Sequence, residues 1–123
     1  MSTETIARRL VELVRTGKFD QVYDELFADD AKNVEMPENA GGPLGNASGL
    51  AAMRKKSADW FSGVEQLHSF SAGDPIVAGN WFALPMKLDI TFKGQGRMQM
   101  EEICVYRVKN GKIVLEQFFY DAG

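Results

Sequence analysis

Along residues 4–16, apolar side chains recur at Ile6, Leu10, Leu13 and Val14, the i, i+4, i+7, i+8 spacing of one helix face. Ser2 or Thr3 stands where an N-cap belongs, and Gly17 where a C′ glycine closes a helix. A second, shorter helix follows. It carries Phe19, Val22, Tyr23, Leu26 and Phe27 on one face, with Asp20, Asp24 and Glu25 off it, and the Asp29-Asp30 pair ends it. Residues 32–37 read as a short extended segment closed by Pro37, and the glycine-rich stretch 38–49 as a loop. Asn46 or Ser48 can cap the next helix, about 50–62, which buries Leu50, Met53, Trp60 and Phe61 and shows Arg54, Lys55 and Asp59 to solvent.

After residue 64 the period changes from helical to two. Gly, Asn, Asp and Pro punctuation at 73–75, 79–80, 94–96 and 110–111 divides the remainder into runs near 65–72, 76–92, 97–109 and 112–121. Asn110-Gly111 is the strongest turn signal, a two-residue hairpin loop. Pro85 predicts a bulge or an unpaired stretch of edge. Three helices with one short strand among them, then an antiparallel meander, make an α+β fold with the helices on one face of a curved sheet.

Alternation sorts the strand residues by face. In 80–92, Phe82, Leu84, Met86, Leu88, Ile90 and Phe92 point inward, leaving Lys87, Asp89 and Thr91 outside. In 97–109 the inner set is Met98, Met100, Glu102, Cys104, Tyr106 and Val108; Arg97 and Arg107 fall outside. Residues 112–121 divide into Val114, Glu116, Phe118, Tyr120 against Ile113, Leu115, Gln117, Phe119, both substantially apolar. One side then faces the interior and the other a partner subunit. In 64–72 the inner face is Val64, Gln66, His68, Phe70 and Ala72. An interior holding Glu102, Glu116, His68 and Tyr120 among Phe and Met is no ordinary dry core. A buried carboxylate neutralises or finds a donor, so the set predicts a pocket with a few convergent polar groups.

Composition narrows the chemistry. The 123 residues predict one domain, 1–123, and 14 Lys plus Arg against 17 Asp plus Glu leave a net charge of −3. The densest basic run, Arg54-Lys55-Lys56, reads as a solvated helix face, so no nucleic-acid partner is expected. No apolar run approaches the ~20 residues of a membrane span, and the first residues lack the pattern of a signal peptide. One Cys and one His exclude an internal disulfide and argue against a transition-metal cage. The expectation is a cytoplasmic protein with no metal and no cofactor.

Three stretches resemble the nuclear-transport-factor-2-like superfamily, and within it the SnoaL-like proteins. They are Phe27-Ala28-Asp29-Asp30-Ala31, the helix start Gly49-Leu50-Ala51-Ala52-Met53, and the ending from Val105-Tyr106-Arg107 through Asn110-Gly111 to Phe118-Phe119-Tyr120. The resemblance covers essentially the whole chain. It implies a cone-shaped α+β barrel, a curved antiparallel sheet wrapped around three N-terminal helices and an apolar cavity, often homodimeric through the sheet. Members include ketosteroid isomerase, polyketide cyclases and limonene-epoxide hydrolase, so the fold alone does not decide the reaction.

Counted from Phe27, Glu35 falls where ketosteroid isomerase places its general base; counted back from Pro37, Met36 does. Leu10 stands in place of that enzyme's oxyanion tyrosine, and Cys104 in place of its protonated acid, with Glu102 two residues earlier on the same face. The Asp-Arg-Asp set of limonene-epoxide hydrolase has no inward arginine to match it. The expected function is therefore a cofactor-independent isomerase or cyclase acting on a small hydrophobic carbonyl compound, against a non-catalytic binding or dimerisation module. Glu35 would abstract a proton, Glu102 or Tyr120 would hold the enolate oxygen, and His68 and Glu116 would set protonation states. Tyr106, Glu116, Phe118, Met100 and Trp60 would form the ligand wall. For each the plain alternative is structural: Glu35 on a strand surface, Glu102 paired with His68 or Tyr120, His68 as a satisfied core residue.

Overall fold

The computed structural model describes residues 1–121. Helix α1, Thr3–Arg15, starts where the Ser2 hydroxyl accepts the Thr5 N–H at 3.1 Å, and ends before Gly17, whose φ of +74° a side chain would strain. Its apolar stripe of Ile6, Leu10, Leu13 and Val14 is buried. Helix α2, Phe19–Leu26, stops earlier than the acidic pair predicts. Strand β1, Phe27–Val34, runs straight through Asp29-Asp30, with Phe27 already beside Ile113 of the last strand. The correction has a physical cause. The pair lies where the β1 register shifts, so two exposed charged residues are carried in an irregularity of the strand.

A 3-10 turn at Pro37–Asn39 and a loop lead to strand β2, Ala47–Ser48, and helix α3, Leu50–Ser62. Of the four residues expected to be buried on α3, only Met53 is fully so; Phe61 remains 38% exposed. Strands β3 (Val64–Ala72), β4 (Ile76–Ala78), β5 (Trp81–Phe92), β6 (Gly96–Lys109) and β7 (Lys112–Phe119) complete the sheet, ordered β2-β1-β7-β6-β5-β3 with β4 also on β5. The meander is antiparallel, but β1 joins β7 in parallel, so the sheet is mixed, and it is not closed into a barrel. Asn110 and Gly111 both have positive φ, as a two-residue hairpin with a primed turn requires.

Pro85 interrupts neither the β5 phase nor its pairing with β6, where it stands opposite Ile103. It sits on the other side, between the last β3 partner, Met86, and the first β4 partner, Ala83. Its missing N–H therefore falls in a gap between strands, and its carbonyl accepts from Gly73 at 2.9 Å. In β7 the expected face needs correction at one end. Val108 pairs with Ile113 but Arg107 with Leu115, so Val114 is a bulge residue and Ile113, fully buried, takes the inner position. Beyond the bulge, Glu116 and Phe118 stand opposite the inner Tyr106 and Cys104.

The packed core lies where α1 crosses the sheet. Ile6 and Leu10 belong with Phe82, Leu84, Tyr106 and Ile113, and the Phe82 and Tyr106 rings stack at 4.7 Å. Towards the other end of the same strands the helices part from the sheet and leave a cavity.

Candidate active site

The cavity has a volume of about 780 Å³. Its walls are mainly apolar: Leu10 and Val14 of α1, Phe19 of α2, Met53 and Trp60 of α3, Phe70 of β3, Met100 of β6 and Phe118 of β7. Glu38, Asn39, Gly41 and Leu44 of the glycine-rich loop line one side. Such a concave apolar surface with few polar groups is the usual form of a small-molecule site.

The polar groups converge from four elements. On β1 the alternation Ala31, Asn33 continues inward to Glu35, just past the strand end. Glu35, not Met36, lines the cavity. Its backbone N–H donates to Asn46 Oδ1 at 2.7 Å, tying the glycine-rich loop to the site. One oxygen, Oε1, accepts the Tyr120 hydroxyl at 2.6 Å; the other, Oε2, accepts Lys56 Nζ at 2.6 Å. Lys56 also donates to the buried Asn33 Oδ1 at 3.1 Å and lies over the Phe118 ring. Asn39 donates to the Tyr120 oxygen at 3.1 Å.

The Lys56 and Glu35 side chains are only 13% and 12% exposed. Lys56 therefore belongs to the site and not to a solvated helix face as expected; the reason is its position one turn from Met53 and one turn before Trp60, on the inward stripe of α3. The same spacing in the sequence could have revealed it, but the neighbouring Arg54 and Lys55 masked it. Asn33 and Asn39, which orient the cluster, carried no sequence signal beyond their place near a strand end and a loop. Asn46 was expected, with Ser48 as the alternative, to cap α3, but that helix starts at Gly49 without a side-chain cap and the Asn46 oxygen accepts the Glu35 N–H instead.

Deeper in the cavity stand Glu102 and Glu116. Burial raises the Glu102 carboxyl above the ordinary range, while a hydrogen bond from the Cys104 thiol at 3.5 Å opposes the rise. Burial pushes Glu116 up to about 7; the Tyr106 hydroxyl, directly opposite on β6, works against that shift, and the Glu102 charge adds to it. The Tyr120 hydroxyl is also raised, first by burial and then by its bond to Glu35.

His68 is not part of this cluster. Register shifts on both sides of Gln66-Leu67 put Leu67 and Phe70 opposite the inner Ile90 and Leu88. His68 is left on the outer face, its Nε2 2.7 Å from the Thr91 hydroxyl, beside the Asp89 carboxylate that Arg97 grips through two bonds. Strict alternation from Val64 fails there because β3 does not keep period two. Glu35, Glu102 and Tyr120 do line one cavity, as do Tyr106, Glu116, Phe118, Met100 and Trp60. Tyr120 differs from expectation in one respect: its proton is directed to Glu35 and not into the open space. Among the described residues, no group of three or more His, Cys, Asp or Glu side chains is arranged to hold a metal ion.

The model of the SnoaL-like domain matches residues 1–120. The chain belongs to the SnoaL-like family. A structure from Mesorhizobium loti, described as a candidate SnoaL-like polyketide cyclase and also labelled carbohydrate phosphatase, is 36% identical, with a TM-score of 0.87 over 98% of this chain and 100% of that one. At lower identity the likeness is of fold alone. An NTF2-like protein of unknown function from Burkholderia pseudomallei is 16% identical, TM-score 0.79, over 98% of this chain and 92% of that one. A ketosteroid isomerase-like fold from Catenulispora acidiphila, in complex with trimethylamine, is also 16% identical, TM-score 0.72, over 95% and 85% of the two chains. No curated protein matches. Within this SnoaL-like chain, no helix of the described residues is long and apolar enough to cross a membrane.

Proposed function

We propose that this SnoaL-like protein is a cofactor-independent acid–base enzyme of the isomerase or cyclase type, acting on a small hydrophobic carbonyl compound. One observation carries the reading. A carboxylate in an ion pair, Glu35, and two carboxyls displaced upward by burial, Glu102 and Glu116, face one apolar cavity. Carboxyls whose surroundings set them apart in this way suit opposite tasks, one accepting a proton while another donates a hydrogen bond to the oxygen that gains charge. Two of Glu35's lone pairs are engaged by Tyr120 and Lys56, and a carboxylate has about four. It therefore keeps capacity to take a proton from carbon.

The test needs no natural substrate. 2-Tetralone, an apolar ketone with acidic α-hydrogens, is incubated with the protein in D2O and its proton signals are followed by NMR. Exchange well above the buffer rate is expected, and Glu35→Gln should abolish it while the far-UV spectrum and melting curve stay native. Exchange that survives in Glu35→Gln would sink the assignment.

The occupancy of both Glu35 oxygens favours one other reading, a non-catalytic module that binds an apolar ligand. It predicts thermal stabilisation by the ketone with no exchange at all. In either case a homodimer through the outer sheet face accounts for Ile103 and Phe119, paired neighbours on β6 and β7 that are 52% and 43% exposed. Sedimentation should show a dimer that Ile103→Lys converts to monomer. A cytoplasmic setting suits a chain with one cysteine and no partner for it.

A further inference from the structure

Lys56 is the only basic side chain lining the cavity among the described residues. Its ammonium has three N–H donors, and Glu35 and Asn33 take two of them. If Glu35 removes a proton from a ligand, the negative charge leaves Glu35 and reappears on the ligand. The ammonium 2.6 Å away then loses its counter-ion and stands free to meet the new anion.

The geometry points to Lys56 as the electrostatic partner of the ligand's oxygen, so that the cavity takes weak carbon or oxygen acids, such as enolisable ketones, 1,3-dicarbonyls and phenols, and holds them as oxyanions. This rests on the reading of Glu35 as proton acceptor. The step balances: the C–H or O–H bond breaks, its proton goes to a Glu35 oxygen, its electron pair stays on the ligand as an oxyanion, and Lys56 keeps its own proton throughout. No oxidant or further reactant is involved.

The other charged groups of the walls agree with this assignment. Glu38 is exposed, and Asp59, half-buried, is paired with Lys55. Glu102 and Glu116, on the two strands facing Lys56, both feel its charge. In their protonated forms they are O–H donors. Burial favours the protonated, O–H-donating form of both, so that with the one ammonium they suit an anionic oxygen; for a cationic amine the ammonium is a like charge, and the one carboxylate in contact with it, Glu35, is already engaged.

The probe is 4-nitrophenol, an acidic phenol whose anion is coloured, used with the intact protein at a pH where the free phenol is mostly protonated. Binding to the wild type should produce the phenolate absorbance. In the wild type alone, 4-nitroanisole, the isostere without an acidic proton, should bind about tenfold more weakly or worse. Lys56→Met should lose the colour and about tenfold in affinity, and Lys56→Arg should restore most of both. Equal binding of phenol and anisole, tighter binding of 4-nitrobenzylamine, or full colour with Lys56→Met would each overturn the inference. The two readings separate cleanly through Glu35→Gln. That variant should lose tetralone exchange yet bind phenolate at least as well, because it frees the ammonium. If exchange survives in Glu35→Gln while Lys56→Met loses phenolate, the base assignment fails and Lys56 stands.

Discussion

The inner face of β5 and β6 is one continuous surface with two different fates. At the end crossed by α1, Phe82, Leu84, Cys104, Tyr106 and Val108 are at most 4% exposed. Towards the other end the face opens on β6, where Met100 and Glu102 are only half-buried and Met98 is 37% exposed, while their β5 partners Leu88, Met86 and Ile90 stay buried. Strand register is unbroken from Trp81↔Arg107 to Phe92↔Gly96, so the sheet itself does not change. What changes is the cover. A capped helix with a full apolar stripe closes the first end; α3, whose stripe is interrupted by Lys56, stands off from the second. The same alternating pattern thus produces a core where helix and sheet are complementary and a cavity where they are not.

Truncation should register that difference most strongly. Leu84→Ala leaves a hole in a filled region and should cost about 2–5 kcal/mol in urea unfolding. Met100→Ala merely enlarges a space that already exists, and its cost should stay below about 1 kcal/mol, with an unchanged m value. Comparable losses at both sites would mean that the cavity end is as tightly packed as the end crossed by α1.

The packed end was legible in the sequence because its information is local. The Ile6-Leu10-Leu13-Val14 stripe, the Asn110-Gly111 turn and the Phe82-to-Ile90 alternation each fix one element without reference to another. The family resemblance extended this to the correct overall architecture. The site was less legible because it depends on interruptions of period. One bulge in β7 exchanges Val114 for Ile113, and shifts in β3 turn His68 outward. Lys56 was hidden for a different reason. A lysine at the end of a three-residue basic run is most simply read as solvated, and only the partner supplied by β1, distant in the chain, makes its burial tolerable. The parallel β1–β7 pairing that brings Glu35 and Tyr120 together is likewise a non-local fact.

A second contrast follows from charge, and its expected effect is somewhat smaller. Burial raises Glu116 from an ordinary 4.5 to about 7. The unfolded chain then gives up its proton at lower pH than the folded protein does, so stability is highest below about pH 4.5 as far as this group is concerned. It falls as pH rises towards 7 and levels off above. The full loss is up to about 3 kcal/mol, from the size of the shift. Glu116→Gln removes the titration. Its stability relative to wild type should therefore improve between pH 4.5 and 8 by about that amount, as read from urea midpoints at each pH. A difference that does not vary with pH would show that Glu116 is solvated, and would weaken the case for a dry site around it.

The smallest effect concerns the cover itself. Helix α1 is held at its start by the Ser2 hydroxyl, whereas α3 begins at Gly49 with no side-chain cap. Ser2→Ala should therefore cost about 1 kcal/mol, the usual value of a lost N-cap. The destination of that loss matters more than its size. If α1 is what closes the packed end, amide hydrogen exchange in the variant should quicken first in the opening turn of α1, at Thr5 and Ile6, and then along the β5 and β6 segments beneath it. Amides around Met100 and Glu102 should keep their wild-type rates, because α1 meets the cavity through Leu10 and Val14, beyond the opening turn that the cap holds. Equal acceleration at both ends would tie the two regions into one cooperative unit. The cavity would then be a property of the whole fold, and not of one loosely matched helix.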